Sequence, residues 1–224
     1  MKVTILEETL VFDDIFKIKE AFLTHEKYDG STSAKVRRLC FERGDSVSAV
    51  VHHIGKKVLI LTEQFRYPTY KKGPGRILEL VAGSLKPKED PKEGMVRELE
   101  EELGYRPLSI EEIGTFYLSP GGSSERIILF YIEVDESTRV SDGGGLASEH
   151  EDIKIVEFPA DQAMSLDVQD AKTLIGISWF YQQAMKNILK HSHNKPNMLC
   201  SCVNSCVATI YVCKDCGGRV NSKR

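Results

Sequence analysis

The residues best suited to chemistry lie in residues 83–105, which read GSLKPKEDPKEGMVRELEEELGY. Three carboxylates in this stretch, Glu98, Glu101 and Glu102, are spaced i, i+3 and i+4. On a helix that turns about 100° per residue, they share one arc of the surface. Carboxylates this close repel one another, so the spacing indicates a site for a hard divalent cation such as Mg²⁺. A solvated acidic helix face is the alternative interpretation.

The same stretch predicts the helix that would position these carboxylates. Asp90 can cap its N-terminus, Pro91 suits the first helical position, and Gly104 is typical of a C-terminal end. A second arc of the helix, about 120° from the acids, is apolar. It consists of Met95, Val96, Leu99 and Leu103. One side of the helix is therefore predicted to pack against a core while another side holds charge.

Further fixed positions distinguish this stretch from a plain acidic face. Gly83, Glu89 and Arg97 accompany the acids in the pattern G-x5-E-x7-R-E-U-x-E-E-x-G-U, where U is a bulky apolar residue. Tyr105, an aromatic residue, stands at the last U. The pattern resembles the Nudix box at every fixed position. The resemblance implies a Nudix hydrolase, an enzyme that uses a divalent metal to cleave a nucleoside diphosphate linked to another moiety.

The resemblance also implies roles within the box. The expected ligands of Mg²⁺, or of Mn²⁺, are three carboxylates and one backbone carbonyl: Glu98, Glu101, Glu102 and Ala82. Such an ion stabilises the transition-state charge and lowers the pKa of bound water. Arg97 is expected to hold the box loop through an ion pair with Glu89. Gly83 is expected to permit a backbone arrangement that a side chain would obstruct.

A second string narrows the expected substrate. Pro120 follows the box Gly104 by 16 positions, and SPGGSSERIILFYIEV is similar to the segment that marks ADP-ribose pyrophosphatases. The strings RRLCFERG at residues 37–44 and GLASEHEDI at residues 145–153 are similar to the same subfamily. We therefore expect cleavage of ADP-ribose to AMP and ribose 5-phosphate. The alternatives are a sibling hydrolase acting on GDP-mannose or UDP-glucose and, less favoured, a non-catalytic Nudix sensor.

The subfamily resemblance supplies candidates outside the box. Glu149, in a Gly-rich loop suited to closing over a site, is the expected general base, with Glu151 and Glu102 as further candidates. Inert, solvated loop charges are the alternative for Glu149 and Glu151. The expected substrate-binding residues are Arg38, Arg66, Ser84 and Glu125. Arginine suits phosphate because its planar guanidinium can donate two parallel hydrogen bonds, and Glu125 matches a position that holds the terminal ribose.

The remaining pattern places the box in a mixed fold. Alternating residues in 3–41 predict an antiparallel sheet with a turn at residues 29–31. Further strands are predicted at residues 46–53, 57–62, 77–81, 114–118, 127–134 and 153–158. A long amphipathic helix is predicted from Ala171 to Lys190, with Asp170 as its cap. Strands with outer helices predict an α/β or α+β fold, and the resemblance implies the Nudix α/β/α sandwich with a mixed sheet.

Three parts are expected along the chain. Residues 1–44 would form a small antiparallel sheet for dimerisation and nucleobase binding, and we expect a homodimer. Residues 45–190 would form the Nudix hydrolase domain. Residues 191–224 form a tail that contains Cys200, Cys202, Cys206, Cys213 and Cys216. Its CKDCGG string looks like a zinc knuckle, and two of the other cysteines could complete a structural Zn²⁺ site. A disordered or redox-labile tail is the alternative.

Composition limits the classes of function. Of 224 residues, 41% are hydrophobic and 28% are charged, which is ordinary for a soluble globular protein. The formal net charge is −3, so no nucleic-acid partner is expected, since general binders carry a basic surplus. The acidic N-terminus has no long apolar run, and no stretch approaches the length of a membrane span. We therefore expect a cytoplasmic protein with a small-molecule nucleotide-sugar substrate and no membrane partner.

Overall fold

A computed structural model describes the backbone of residues 1–193 and the side chains of residues 1–148 and 150–186. Within this range the chain forms one three-stranded sheet, one seven-stranded sheet and helices packed on the larger sheet. The predicted mixed fold is thereby confirmed. The cysteine-rich tail from residue 194 onward, with the zinc site predicted for it, lies outside the described residues and stays a prediction.

The N-terminal sheet is antiparallel, as predicted. Its strands β1 (Val3–Asp13), β2 (Lys17–His25) and β3 (Val36–Glu42) lie in the order β1-β2-β3. The predicted turn at residues 29–31 forms because the Asp29 carboxylate accepts the backbone N–H of Ser31 at 2.9 Å. The strand β1 lies at an open edge of the sheet.

The larger sheet is mixed. Its strands are β4 (Ser46–His53), β5 (Val58–Phe65), β6 (Arg76–Glu79), β7 (Val81–Ser84), β8 (Ser109–Tyr117), β9 (Arg126–Val134) and β10 (Lys154–Pro159). The main order is β10-β5-β4-β9-β8, with β6 paired to β5 and β7 paired to β4. The pair β4 and β9 is parallel, and the other pairs are antiparallel.

The segment that leads into the box changes its strand partner. One strand over residues 77–81 is predicted, whereas the structure has β6 and β7 with Leu80 between them. The backbone N–H of Leu80 donates to the Thr173 hydroxyl at 2.8 Å, so a distant residue holds the change of direction. As a result Ala82 and Gly83 pair with β4, which is an inner strand of the sheet. Local apolar patterning cannot reveal such a switch, because the pattern is the same whichever strand is the neighbour.

The box forms a helix with the predicted ends. Its α-helical part, α1 (Pro91–Glu98), begins at Asp90, whose carboxylate accepts the backbone N–H of Lys92 at 2.9 Å. A π-helical turn, Leu99–Leu103, continues α1, which a regular periodicity does not predict. The turn ends at Gly104, which has a φ of 76°, as expected of a C-terminal glycine.

The helices cover opposite faces of the larger sheet. The second helix, α2 (Ala171–His193), follows a short 3₁₀ segment, Ala160–Ser165. One core lies under α1 and its π-turn and includes Val47, Ala49, Val51, Met95, Leu99 and Leu103. The other core lies under α2 and includes Val50, Leu59, Leu61, Leu80, Leu129 and Ile177. This arrangement is the expected α/β/α sandwich. Among the described helices, none has the length and apolar character needed to cross a membrane.

The two sheets meet at the turn between β8 and β9. The backbone N–H of Phe41, on β3, donates to the carbonyl of Gly122 at 2.8 Å, and the N–H of Ser124 donates to the carbonyl of Phe41 at 3.2 Å. The turn is closed by a hydrogen bond of 3.1 Å from the N–H of Gly122 to the carbonyl of Ser119. The SPGGSS string therefore joins the N-terminal sheet to the larger one.

Candidate active site

The box carboxylates lie where α1 passes into the π-turn. Glu98 is the last residue of α1, and Glu101 and Glu102 lie in the turn. Glu98 is 8% exposed and Glu102 is 2% exposed, whereas Glu101 is half-buried. The apolar residues of the same segment stay in the core beneath. The structure therefore excludes a fully solvated acidic face and places two of the three carboxylates inside the protein.

Gly83 lies directly against the carboxylate of Glu98. A Cβ atom at position 83 would come within 1.8 Å of Oε1 of Glu98. The position therefore needs glycine because β7 and a carboxylate approach closely, while its own φ is not in the left-handed region. The spacing of the box thus brings a strand backbone and a helical acid into direct contact.

Arg97 connects the box loop to the acids, which confirms the predicted ion pair with Glu89. Its Nε and Nη2 donate to the two Glu89 oxygens at 3.0 and 3.2 Å. Its Nη1 donates to Glu98 at 2.7 Å and to Glu101 at 3.1 Å. The Arg97 guanidinium holds the pKa of Glu89 at about 2. Arg97 therefore fixes the loop and supplies part of the countercharge for two box acids.

Glu102 lacks such a countercharge. Burial and, to a smaller extent, the charges of Glu98 and Glu151 together raise its pKa to about 8, although the charge of Arg66 opposes them. Within the described part of the chain, Oε2 of Glu102 has no hydrogen-bond partner. A buried carboxylate oxygen without a partner is costly in free energy. Burial also raises the pKa of Glu98, although the Arg97 guanidinium bonded to this carboxylate opposes the shift.

These features fit a hard divalent cation. The available donors are carboxylate oxygens, which Mg²⁺ and Mn²⁺ prefer. The strand β7, which carries the predicted carbonyl ligand Ala82, lies against the Glu98 carboxylate at the next residue, Gly83. Across the described residues no group of three acids is already arranged around a point. Arg97 engages oxygens of both Glu98 and Glu101. A metal at this position would therefore share these two carboxylates with the guanidinium.

The Gly-rich segment before β10 is attached to the end of the box helix. The backbone N–H of Gly144 donates to the carbonyl of Glu102 at 2.8 Å, and that of Gly145 donates to the carbonyl of Glu101 at 3.0 Å. A Cβ atom at Gly143 would come within 2.6 Å of the Glu102 carbonyl oxygen. The sequence predicts that these glycines let the loop close over a site. In the structure they hold the start of the loop against the backbone of the acids.

The loop acids follow this attachment. Glu151 accepts the backbone N–H of Leu146 at 2.9 Å. Its charge raises the pKa of both Glu98 and Glu102, which places it near the box carboxylates. The side chain of Glu149 lies outside the described side chains, so its role as a base stays a prediction. Among the described loop acids, Glu151 is the one that the fold brings to the box.

Arg66 lies beside the carboxylates just after β5. Its Nε donates to Oε1 of Glu79 at 2.6 Å. Its two terminal nitrogens have no hydrogen-bond partner among the groups that the structure describes. Its positive charge lowers the pKa of Glu102, so the guanidinium is close to that acid. Arg66 therefore has the position and the free donors that a phosphate-binding arginine requires.

The other predicted substrate-binding residues lie at different distances from the box. Ser84 ends β7, and its carbonyl accepts Nη2 of Arg97 at 3.3 Å. Glu125 is buried before β9 and accepts the hydroxyl of Ser46 at 2.8 Å. Arg38 lies on β3, and its described hydrogen bond goes to the carbonyl of the preceding residue. No described contact joins Arg38 to the box.

A buried charge network lies next to Arg66, and the sequence analysis does not predict it as part of the site. Lys172 is 7% exposed and forms ion pairs with Glu79, which is 4% exposed, and with Asp170. The sequence signal for it is weak. Lys172 is a charged residue two positions after a predicted helix cap, and nothing local indicates that it points inward.

Comparison with known proteins identifies the family. A NUDIX domain is matched over residues 42–175, more than half of the chain. The protein belongs to the Nudix family. The matched range runs from the end of β3 to the start of α2 and so contains the larger sheet and the box. With the box complete, the protein is a hydrolase of the Nudix type.

Similar proteins carry related names. A GDP-mannose pyrophosphatase of Pectobacterium atrosepticum is 34% identical over 179 residues, which cover 77% of this chain and 91% of that protein. A GDP-mannose pyrophosphatase of Escherichia coli is 28% identical over 184 residues, with coverage of 80% and 94%. A crystal structure of an ADP compounds hydrolase shares the fold, with a TM-score of 0.63 and 19% identity over 84% of this chain and 96% of that one.

Proposed function

We propose that this Nudix hydrolase cleaves the diphosphate bridge of a nucleoside diphosphate sugar, with GDP-mannose as the first candidate substrate. The observation that carries the reaction class is the pair of buried acids beside Gly83, of which Glu102 has an unpartnered oxygen. The relatives named GDP-mannose pyrophosphatase support this substrate. ADP-ribose, favoured by the SPGGSSERIILFYIEV string, is the second candidate.

Mg²⁺, or Mn²⁺, is the metal that suits the donor set. Glu98, Glu101 and Glu102 would hold it together with the carbonyl oxygen of Ala82. When bound, a divalent ion offsets charge on the phosphate oxygens and lowers the pKa of a bound water. The need for it follows from Glu98 and Glu102, whose pKa values are raised by burial, and from the Glu102 oxygen that has no partner among the described groups.

The chain's own residues would bind the bridge and accept a proton. Arg66 would donate its free terminal nitrogens to the diphosphate, and Glu125 would accept a hydroxyl of the terminal sugar. A loop acid, Glu151 or Glu149, would take the proton of the attacking water. A bond then forms between water oxygen and phosphorus, and the bridging P–O bond breaks. For GDP-mannose the products are GMP and mannose 1-phosphate.

The N-terminal sheet supports a homodimer. The open edge strand β1 exposes a run of large apolar side chains, each about half exposed: Val3, Ile5, Leu6, Leu10, Val11 and Phe12. An apolar surface of this kind is typical of an interaction surface. Arg38 lies on the same sheet and would act across the interface. Light scattering should show a dimer that Phe12→Glu dissociates and that Leu108→Glu, an exposed position elsewhere, leaves intact. A monomeric wild type would contradict the dimer.

The decisive experiment is product analysis with GDP-mannose, ADP-ribose and UDP-glucose, with Mg²⁺ or with EDTA. We expect metal-dependent release of GMP and mannose 1-phosphate, lost in Glu102→Gln. The matched control is Glu100→Gln, because Glu100 lies in the same turn but pairs with Arg106 at the surface, at 2.8 Å. Cleavage of ADP-ribose alone would favour the second substrate. Full activity in EDTA would contradict the metal site, and binding without cleavage would make the protein a sensor.

The same assay identifies the base. If Glu151 accepts the proton, Glu151→Gln should lower kcat about a hundredfold or more, the range typical of general bases. Glu149→Gln should then have a small effect. The reverse result would assign the base to Glu149, as the subfamily resemblance predicts, and two small effects would leave Glu102 as the candidate.

A further inference from the structure

A buried charge network lies behind Arg66, and the proposed chemistry does not account for it. Lys172, the second residue of α2, is 7% exposed and forms ion pairs with Glu79 and Asp170, the latter at 3.1 Å. Glu79 ends β6 and is 4% exposed. Since isolated buried charges are very unfavourable, Lys172 and Glu79 depend on each other. The network therefore has an energetic reason to keep one geometry.

The Glu79 carboxylate is divided between two cations. Its Oε1 accepts Nε of Arg66 at 2.6 Å, and its Oε2 is bound by the ammonium group of Lys172. Arg66 is thus held at Nε, on the inner edge of its guanidinium. The outer edge carries the two terminal nitrogens, which lack partners among the described groups. The side chain of Arg66 is 40% exposed, so this outer edge can reach a ligand.

The start of α2 is fixed to the strand that leads into the box. The Asp170 carboxylate accepts the backbone N–H of Thr173 at 3.0 Å and its hydroxyl at 2.6 Å. The Thr173 hydroxyl in turn accepts the backbone N–H of Leu80, directly before β7. Lys172 lies between these two anchoring residues of α2. Its ammonium group is therefore held in place relative to the box strand.

We propose that Lys172 is a positioning residue for substrate binding that acts through Glu79 on Arg66. With Lys172 present, its ammonium group offsets the charge of the Glu79 carboxylate at Oε2. Arg66 then keeps its positive charge and its free terminal donors available for the diphosphate. Without Lys172, Arg66 is the remaining cation on a buried carboxylate and is drawn towards it. The inference rests on the proposed function, since a diphosphate is the ligand assigned to Arg66.

A double-mutant cycle of Lys172→Met and Arg66→Gln tests the coupling, with KM and kcat measured for the nucleotide sugar that is cleaved best. Lys172→Met should raise KM about tenfold or more, the scale of losing one partner of a buried charge pair, with a smaller change in kcat. In the Arg66→Gln background it should raise KM no further. The matched control is Lys154→Met, which removes an exposed Lys–Glu pair with Glu63 and should leave KM unchanged.

Equal effects of Lys172→Met in both backgrounds would overturn the proposal, as would a lower melting temperature with an unchanged KM. If Lys172→Met does not fold, Lys172→Gln keeps a hydrogen-bond donor without the charge and takes its place in the cycle. A wild type that cleaves no nucleotide sugar would refute the proposed function. The cycle would then be measured by calorimetric binding of GDP-mannose, where absent coupling or absent binding overturns the role of Lys172.

Discussion

Glu79 and Glu102 are two deeply buried glutamates of the same protein with opposite surroundings. Glu79, 4% exposed, is bound by Arg66 on one oxygen and by Lys172 on the other. Glu102, 2% exposed, has one oxygen without a partner in the described structure, and burial raises its pKa to about 8. Burial alone therefore does not indicate function. A buried acid whose positive charge must come from outside the chain is the better sign of a binding site.

The largest effect on stability should come from neutralising Glu79 and Glu102 in separate variants. In metal-free protein, Glu79→Gln should lower the free energy of unfolding by about 3–5 kcal/mol, because it leaves two cations without their shared buried partner. Glu102→Gln should instead stabilise the metal-free protein at pH 8.5. Denaturant unfolding in EDTA measures both. Equal destabilisation by the two variants would refute the contrast.

Catalytic activity should also depend on the close contact between β7 and the Glu98 carboxylate. Gly83→Ala places a methyl group within 1.8 Å of the Glu98 carboxylate and must displace it. We expect kcat to fall about a hundredfold to a thousandfold, as when one stabilising group of an active site is lost. The control is Gly114→Ala, since a Cβ atom at Gly114 meets no atom within 4 Å. Equal activity of the two variants would show that this contact is not required.

The pH dependence of stability should show the effect of the Glu102 carboxyl. The pKa of Glu102 is about 8 in the folded protein against 4.5 as the ordinary value. Between these values the unfolded chain releases a proton that the folded protein keeps, so stability falls as pH rises through this window. The melting temperature of Glu102→Gln in EDTA should therefore exceed that of wild type by several degrees more at pH 8.5 than at pH 4.5. A constant difference would contradict the raised pKa.

The smallest expected effect concerns the box loop. Arg97→Lys loses the two-pronged contact with Glu89 and should lower the free energy of unfolding by about 1–2 kcal/mol, because charged hydrogen bonds contribute about this much. Arg106→Lys, at an exposed ion pair with Glu100, should have no measurable effect. Denaturant unfolding of both variants is the test, and a stable Arg97→Lys would show that the loop is held by other contacts.

Much of the box could be predicted because its information is local. The cap at Asp90, the end at Gly104 and the ion pair between Arg97 and Glu89 all depend on residues within a few turns of one another. The strands of the larger sheet follow from apolar runs in the same way. The sugar-nucleotide substrate, the dimer and the zinc of the tail stay proposals or predictions. Each depends on contacts to groups beyond the described chain.

By itself the sequence determined the Nudix family and the spacing of Glu98, Glu101 and Glu102, since helical periodicity converts spacing into position. Tertiary structure alone decided which acids are buried and which of them are paired. Glu79 and Lys172 are 93 residues apart in sequence, and they meet because α2 is fixed to the strand switch at Leu80. The physical reason is that the energy of a buried charge depends on its neighbours in space, which the fold selects from distant parts of the chain.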